Sequence, residues 1–302
     1  MEIIMKLICK DLRSEKEASQ FVSLCEEEFE EKMRLAAKRT LEMGNKIITL
    51  SGPTCSGKTT TASRLVEELR KAGKNAKVIS IDDFYLDDLR AENNGKVDFD
   101  SVNTIDLEYL SHVVEKLMSG KVAQMPRFDF TTGRRAGYEA LVPESDNVYI
   151  FEGIQAVYPE VTSLFGDRYT SVFISVIDDV MFNGVYFESH EIRLLRRIVR
   201  DSLFRNTPIH KTLEYWDSVR TNEMENIFPN TKNPHVFIDS FLMYELFVTA
   251  PIVLGQLASP DMTKDIYPIV QGLKLRLEKI RCDVPVEKHV PTQSVFREFI
   301  GR

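Results

Sequence analysis

The sequence predicts an α/β fold: a five-stranded, mainly parallel sheet flanked by helices, with an inserted hairpin and an arginine-bearing lid. Three observations predict it. Five short runs, "KIITL" (46–50), "AKVISID" (76–82), "NVYIFEG" (147–153), "TSVFISV" (170–176) and "HVFIDS" (235–240), are apolar on both faces, as buried parallel strands are. Helix-like stretches such as "TIDLEYLSHVVEKLMSG" and "SHEIRLLRRIVRDSLFRN" separate them, and such alternation gives a parallel sheet. Between the first run and the first following helix lies "SGPTCSGKTT", whose Gly52, Gly57, Lys58 and Thr59 fill every position of G-x-x-x-x-G-K-[ST].

The elements follow in order. Residues 1–45 read as an N-terminal helical extension. Ser14 and Glu17 form a capping box, and Phe21, Cys25, Phe29 and Met33 recur every four residues as the apolar face of one long helix. Residues 46–240 read as a kinase-type core built on the phosphate loop. In that loop the backbone N–H groups of Gly52, Pro53, Thr54, Cys55, Ser56, Gly57, Lys58, Thr59 and Thr60 (proline excepted) wrap toward an anion, and the next helix adds its positive end. Lys58 reaches the β- and γ-phosphates and the Thr59 hydroxyl ligates Mg²⁺, so the loop binds a nucleoside triphosphate.

Ligands of parallel sheets lie at the carboxyl ends of the strands. There the sequence places Asp82 and Asp83, on a strand expected beside the loop, and Glu152 at the end of the next strand. Carboxylates facing a triphosphate suit magnesium binding and proton acceptance from a hydroxyl. Asp83 reads equally as a helix cap or a surface charge.

The segment "KVAQMPRFDFTTGRRAGYEALV" (121–142) breaks the alternation and reads as an inserted hairpin. Around residues 188–210 five arginines, Arg193, Arg196, Arg197, Arg200 and Arg205, crowd one helix, with Arg193, Arg197 and Arg200 sharing a face. They read either as partners of Glu188, Glu191 and other surface carboxylates, or as a mobile lid that clamps a transferring phosphoryl group. Residues 241–302 read as a helical segment packing on the core.

Composition narrows the function. A net charge of −7 over 302 residues speaks against a nucleic-acid polymer as partner, because phosphate backbones need a basic face. Four scattered cysteines (Cys9, Cys25, Cys55, Cys282) show no metal or disulfide spacing and suit a reducing cytoplasm. The apolar runs are too short to cross a membrane, and the start, broken by Glu2, Lys6 and Lys10, is not expected to be a signal peptide.

The order "GPTCSGKTT", "IDDFY", "VDFDSVNTID", "FDFTTGRR", "IFEGI", "RRIVRD" resembles the uridine kinase family of P-loop nucleoside kinases, relatives of phosphoribulokinase, over about residues 21–301. The ending "VPTQSVFREFIG" looks like one bacterial branch whose longer members carry a threonyl-tRNA synthetase-like N-terminal region, a domain expected to be absent here. The resemblance implies transfer of the γ-phosphoryl group of ATP, with Mg²⁺, to a nucleoside 5′-hydroxyl. By it Asp82 is the general base and Tyr85 a pocket residue. Asp100 holds the ribose hydroxyls, Glu152 lies near magnesium, and Arg197 and Arg200 contact substrate and phosphates. Arg135 falls among the substrate-binding positions.

Phe128 and Gly133 stand where well-studied uridine/cytidine members have tyrosine and histidine, which implies relaxed or altered base choice, since lost hydrogen-bonding groups weaken discrimination. Rival readings are a kinase of another small alcohol or sugar phosphate, and an ATP-sensing regulator. No stretch identifies an interface, so a homo-oligomer stays open. Cys55 reads as a small loop filler or as an oxidation site, and the "FREFIG" ending has no assigned role.

Overall fold

The computed structural model describes residues 5–8, 10–87, 99–231, 233–258, 267–280 and 282–301. Strand β1 (Met5–Ile8) leads into α1 (Glu15–Met43), β2 (Ile47–Ser51), α2 (Lys58–Lys71) and β3 (Asn75–Ser80). Helix α3 (Leu107–Met118) precedes the hairpin β4 (Ala123–Asp129) and β5 (Arg134–Leu141), then β6 (Asn147–Glu152) and β7 (Tyr169–Ser175). Strands β8 (Asp179–Phe182) and β9 (Val185–Phe187) lead into α4 (Ser189–Arg205) and α5 (Ile209–Asn222). Strand β10 (Val236–Asp239), α6 (Glu245–Leu257), α7 (Tyr267–Leu277) and the single turn α8 (Arg297–Ile300) complete the chain.

All five predicted runs are strands of one sheet, in the order β10-β7-β2-β6-β3. Every pairing is parallel, so the sheet is wholly rather than mainly parallel. The central strands β2 and β6 are buried throughout because both faces are covered, whereas the edge strands β3 and β10 leave Val78 and Phe237 exposed. Alternate residues divide between two cores: Ile48, Leu50, Val148 and Ile150 pack with α1, α2, α4 and α6. Ile47, Tyr149 and Phe151 pack with Leu110, Val113, Val114 and Leu117 of α3 and with Phe128 of the hairpin.

The order corrects one expectation. Strand β3, which leads into Asp82 through the 3₁₀ turn Ile81–Phe84, is not beside β2; β6 lies between them, with Leu50 and Ser80 both opposite Glu152. Asp82 therefore approaches the loop from the edge strand, and Glu152 stands nearest to it.

The N-terminal segment is more than a helix and less separate than an extension. Strand β1 pairs in parallel with β8, joining β9 in a small sheet. Phe21, Cys25, Phe29 and Met33 are all buried in the main core. The Ser14 hydroxyl caps α1 by accepting from Glu17 N–H at 3.3 Å, while the Glu17 carboxylate accepts from Arg13 N–H at 2.7 Å. The buried Glu26 carboxylate of α1 accepts from Tyr244 Oη (2.5 Å), whose oxygen is also hydrogen-bonded to Ser294 Oγ (3.1 Å), tying the first helix to the last residues.

Candidate active site

The phosphate loop leaves β2 at Ser51 and turns into α2 through two left-handed residues, Cys55 (φ 57°) and Gly57 (φ 91°). Glycine is required twice. A Cβ on Gly52 would run into the carbonyl oxygen of Ile174, and one on Gly57 would stand 2.5 Å from Val295 Cγ2 in addition to straining a positive φ. Lys58 Nζ donates to Pro53 O at 3.1 Å, folding its chain back over the loop.

The loop is fixed from behind by two arginines of α4. Arg193 donates to Thr54 O (3.2 Å) and forms a buried pair with Glu223 at 2.5 and 2.8 Å. Arg196 donates to Cys55 O (3.1 Å), to Ser240 Oγ and O, and to both oxygens of Glu245 at 2.8 and 3.1 Å. Neither arginine meets Glu188 or Glu191: Glu191 pairs with Arg276, and Glu188 with His190. Sequence reasoning missed this role. The available signal was their place among Ile192, Leu194, Leu195 and Ile198, all buried, where charge survives only if paired.

Arg197 and Arg200 sit differently. Both are half-buried and share the carboxylate of Asp201, at 3.3 and 3.0 Å, with Arg205 joining at 3.5 Å. Helix α4 is not a free lid, since Ile192, Leu195, Ile198 and Val199 belong to the main core.

Asp82 and Glu152 converge on Lys58. Burial pushes the Asp82 carboxyl above its ordinary range, against the pull of the Lys58 charge and the hydrogen bond from Tyr85 Oη at 3.2 Å. Burial likewise raises Glu152 to about 7; Lys58 opposes the rise, while Asp82 and Glu298 add to it. Asp83 proves structural, accepting from Phe128 N–H at 3.0 Å and so pinning the hairpin to the strand end.

Tyr85 is held beside Asp82 by a polar network. Its one hydroxyl proton is shared between Asp82 and Phe99 O (2.7 Å), and Gln155 Nε2 donates at 3.2 Å to Tyr85 Oη and 2.6 Å to Phe99 O. Gln155 went unnoticed in the sequence, one residue past the "IFEGI" motif. Around Tyr85 stand Phe99, Phe128 and Phe130, with ring centroids 5.0, 5.2 and 6.0 Å away. Phe130, also unforeseen, is half exposed. Asp100 lies close enough for its charge to raise Tyr85, and its backbone oxygen accepts from Tyr158 Oη at 3.0 Å; Val97 and Asp98 of the same motif, and the turn at 93–96, lie outside the described residues. Gly133 closes the hairpin turn, its N–H on Asp129 O at 2.7 Å. Arg135 is engaged elsewhere, donating to Asp106 at 2.6 Å and stacking over Tyr109.

These residues fit a nucleoside triphosphate and a divalent cation. Ser56 Oγ is buried in the loop without a partner among the described residues, a polar atom left for a ligand to satisfy. Two carboxylates held above their ordinary range, with Lys58 as their nearby positive charge, are acids that a cation would relieve.

The model of the phosphoribulokinase/uridine kinase family matches residues 47–245. The chain belongs to that family. Its members are phosphotransferases whose acceptor is an alcohol. Uridine kinase of Halobacterium salinarum is 26% identical over 195 residues, 63% of this chain and 78% of that protein. Uridine-cytidine kinase C of Dictyostelium discoideum is 31% identical over 170 residues, 56% of this chain and 32% of that one. A chloroplastic uridine/cytidine kinase of Arabidopsis thaliana is 29% identical over 232 residues, 74% of this chain and 44% of that one. The chain thus spans less than half the length of the last two. Phosphoribulokinase from Rhodobacter spheroides has a TM-score of 0.41 at 16% identity over 61% of this chain and 66% of that one, a likeness too slight to carry an argument. Among the described residues no helix is long and apolar enough to cross a membrane, and Cys25, Cys55 and Cys282 are free.

Proposed function

We propose that this member of the family transfers the γ-phosphoryl group of ATP to the 5′-hydroxyl of a nucleoside, in the cytoplasm. The observation that carries the reading is the setting of Asp82. It stands at a strand end, hydrogen-bonded by Tyr85, in the field of Lys58 and next to Glu152.

The loop amides and Lys58 hold the triphosphate, and Tyr85, fixed by Gln155 and Phe99, positions Asp82. Asp82 orients the acceptor hydroxyl and takes its proton as the oxygen attacks the γ-phosphorus and the bond to the β-phosphate oxygen breaks, leaving ADP. Arg197 and Arg200 neutralise charge on the moving phosphoryl group. Thr59, Asp82 and Glu152 would hold Mg²⁺, which when bound supplies positive charge to the β- and γ-oxygens. Asp100 holds the sugar diol. The acceptor's base meets the faces of Phe128 and Phe130, with Gly133 and Arg135 nearby in the same hairpin, so stacking rather than hydrogen bonding discriminates it and base choice is broad.

The test is incubation with Mg-ATP and a panel of ribo- and deoxyribonucleosides, sugar phosphates and pantothenate, with mass spectrometric detection of products. A nucleoside 5′-monophosphate that disappears with Asp82→Asn, while ATP binding persists, supports the reading. Phosphorylation of a non-nucleoside acceptor alone replaces it with a small-alcohol kinase. ATP binding without any phosphorylated acceptor points to a regulator.

A further inference from the structure

The last residues of the chain lie on the nucleotide loop. Val295 occupies the space that a Cβ on Gly57 would need. Phe296 packs against Tyr244 (centroids 5.8 Å), and Phe299 lies 4.9 Å beneath the Arg196 guanidinium. Val295, Phe296 and Phe299 are wholly buried. Arg297 knits the segment together by donating to Pro291 O (3.3 Å), Gly301 O (3.2 Å) and Val290 O (2.5 Å). The segment is therefore a fixture of the fold, and between its buried anchors one half-buried acidic side chain, Glu298, reaches the loop.

Its target is a phosphate donor. Helix α2 makes its first backbone hydrogen bond from Thr61 N–H to Gly57 O, so the N–H groups of Lys58, Thr59 and Thr60 have no acceptor within the helix. These, with the positive helix end, are what a phosphate uses. Glu298 Oε2 accepts from Thr60 N–H at 3.2 Å and from Thr60 Oγ1 at 3.0 Å. A carboxylate on an amide and a hydroxyl at a helix N-terminus is placed as a phosphate oxygen would be. Its neighbour in the loop, the buried Ser56 hydroxyl, has no partner among the described residues, so the cradle is filled at one donor and open at another.

We propose that Glu298 is a built-in competitor of the nucleotide's phosphates: its carboxylate occupies the Thr60 donors in the nucleotide-free protein and must be displaced when a triphosphate binds, which sets the affinity for nucleotide. Two anions cannot share those donors without repulsion. The displaced carboxylate has a cation to turn to, since Arg200 already lies in its field. The inference rests on triphosphate binding at this loop and is independent of which acceptor is phosphorylated.

Calorimetric titration of the full chain with ATP, and separately with inorganic triphosphate, tests it in wild type, Glu298→Gln and Glu298→Ala. Charge-assisted hydrogen bonds exceed neutral ones enough that both variants should bind ATP about tenfold tighter. Inorganic triphosphate should show the same gain, because the competition is for phosphate donors. Thermal unfolding guards against misfolding: Glu298→Gln should melt close to wild type. If wild type binds ATP and neither variant binds more tightly, the competition is refuted while the nucleotide-site reading stands. Weaker binding by Glu298→Gln also refutes it and makes Glu298 a supporting contact. If no protein binds either ligand, the loop reading falls and this proposal with it.

Discussion

Helix α4 carries two arginine pairs within eight residues, and they do opposite work. Arg193 and Arg196 are wholly buried, each with a bidentate glutamate and a carbonyl of the phosphate loop. Arg197 and Arg200 are half-buried and share one aspartate with Arg205. An arginine has five N–H donors in a fixed fork. Arg196 commits donors on all three nitrogens to protein acceptors, whereas Arg197 and Arg200 keep solvent-facing donors available. The difference separates a fixed pair from an adaptable one: a guanidinium whose donors are spent on the fold shapes the loop, and one with donors to spare is able to take up a further acceptor, as the proposed reaction requires of Arg197 and Arg200.

The comparison can be broken at several points. The largest effect should come from Arg196→Ala. It leaves Glu245 buried and unpaired, and removing one partner of a buried ion pair costs on the order of 3–5 kcal/mol. Urea unfolding should show that loss, and a stability within 1 kcal/mol of wild type would mean that Arg196 is not structural. Arg200→Ala should leave the unfolding midpoint near that of wild type and lower kcat by about 100-fold, as loss of a donor to developing charge does. Equal losses of stability in both variants would erase the distinction.

Glu152 sharpens the contrast, as a buried carboxyl with no ion-pair partner among the described residues. In the nucleotide-free protein it keeps its proton up to about pH 7, whereas its ordinary value is 4.5. The folded state therefore binds more protons than the unfolded one between those values, and stability falls as pH rises through that window. Glu152→Gln should remove the fall, matching wild type near pH 4 and exceeding it at pH 8 by on the order of 2 kcal/mol; parallel stability–pH curves would refute the assignment. The smallest effect is expected at Phe130, half exposed beside Tyr85. Phe130→Ala should raise the acceptor KM by roughly tenfold or less, about the worth of one aromatic contact, with the KM for ATP unchanged.

Much of this was legible in the sequence, for physical reasons that also mark where reading stops. Local patterns survived: the apolar runs are strands, the central ones buried on both faces and the edge strands β3 and β10 on one, and residues 121–142 hold the hairpin. The phosphate motif is local too, its glycines dictated by neighbours within a few residues and one strand. Spatial order was not legible, since the apolar composition of β3 and β6 is alike and nothing in either says which lies beside β2. Arg193 and Arg196 looked like their neighbours because their partners, Glu223 and Glu245, lie 30 and 49 residues away. Asp83 was ambiguous until Phe128 N–H, 45 residues on, supplied its function. Strand β1 was missed for the same reason, its partner β8 lying far along the chain.

The separation between Thr60 and Glu298, 238 residues, has a consequence for how the protein is made. The loop leaves the ribosome well before its covering valine, the ring beneath Arg196 and the acid on Thr60, which all belong to one stretch more than two hundred residues later. Helix α1 waits as well, for Tyr244 and Ser294. Pairings so distant in sequence close slowly. The nascent chain thus carries an unfinished nucleotide cradle while those intervening residues are made, and a product cut short between the two would be left with bare apolar surface around the loop, a substrate for chaperones and proteases rather than a smaller working enzyme.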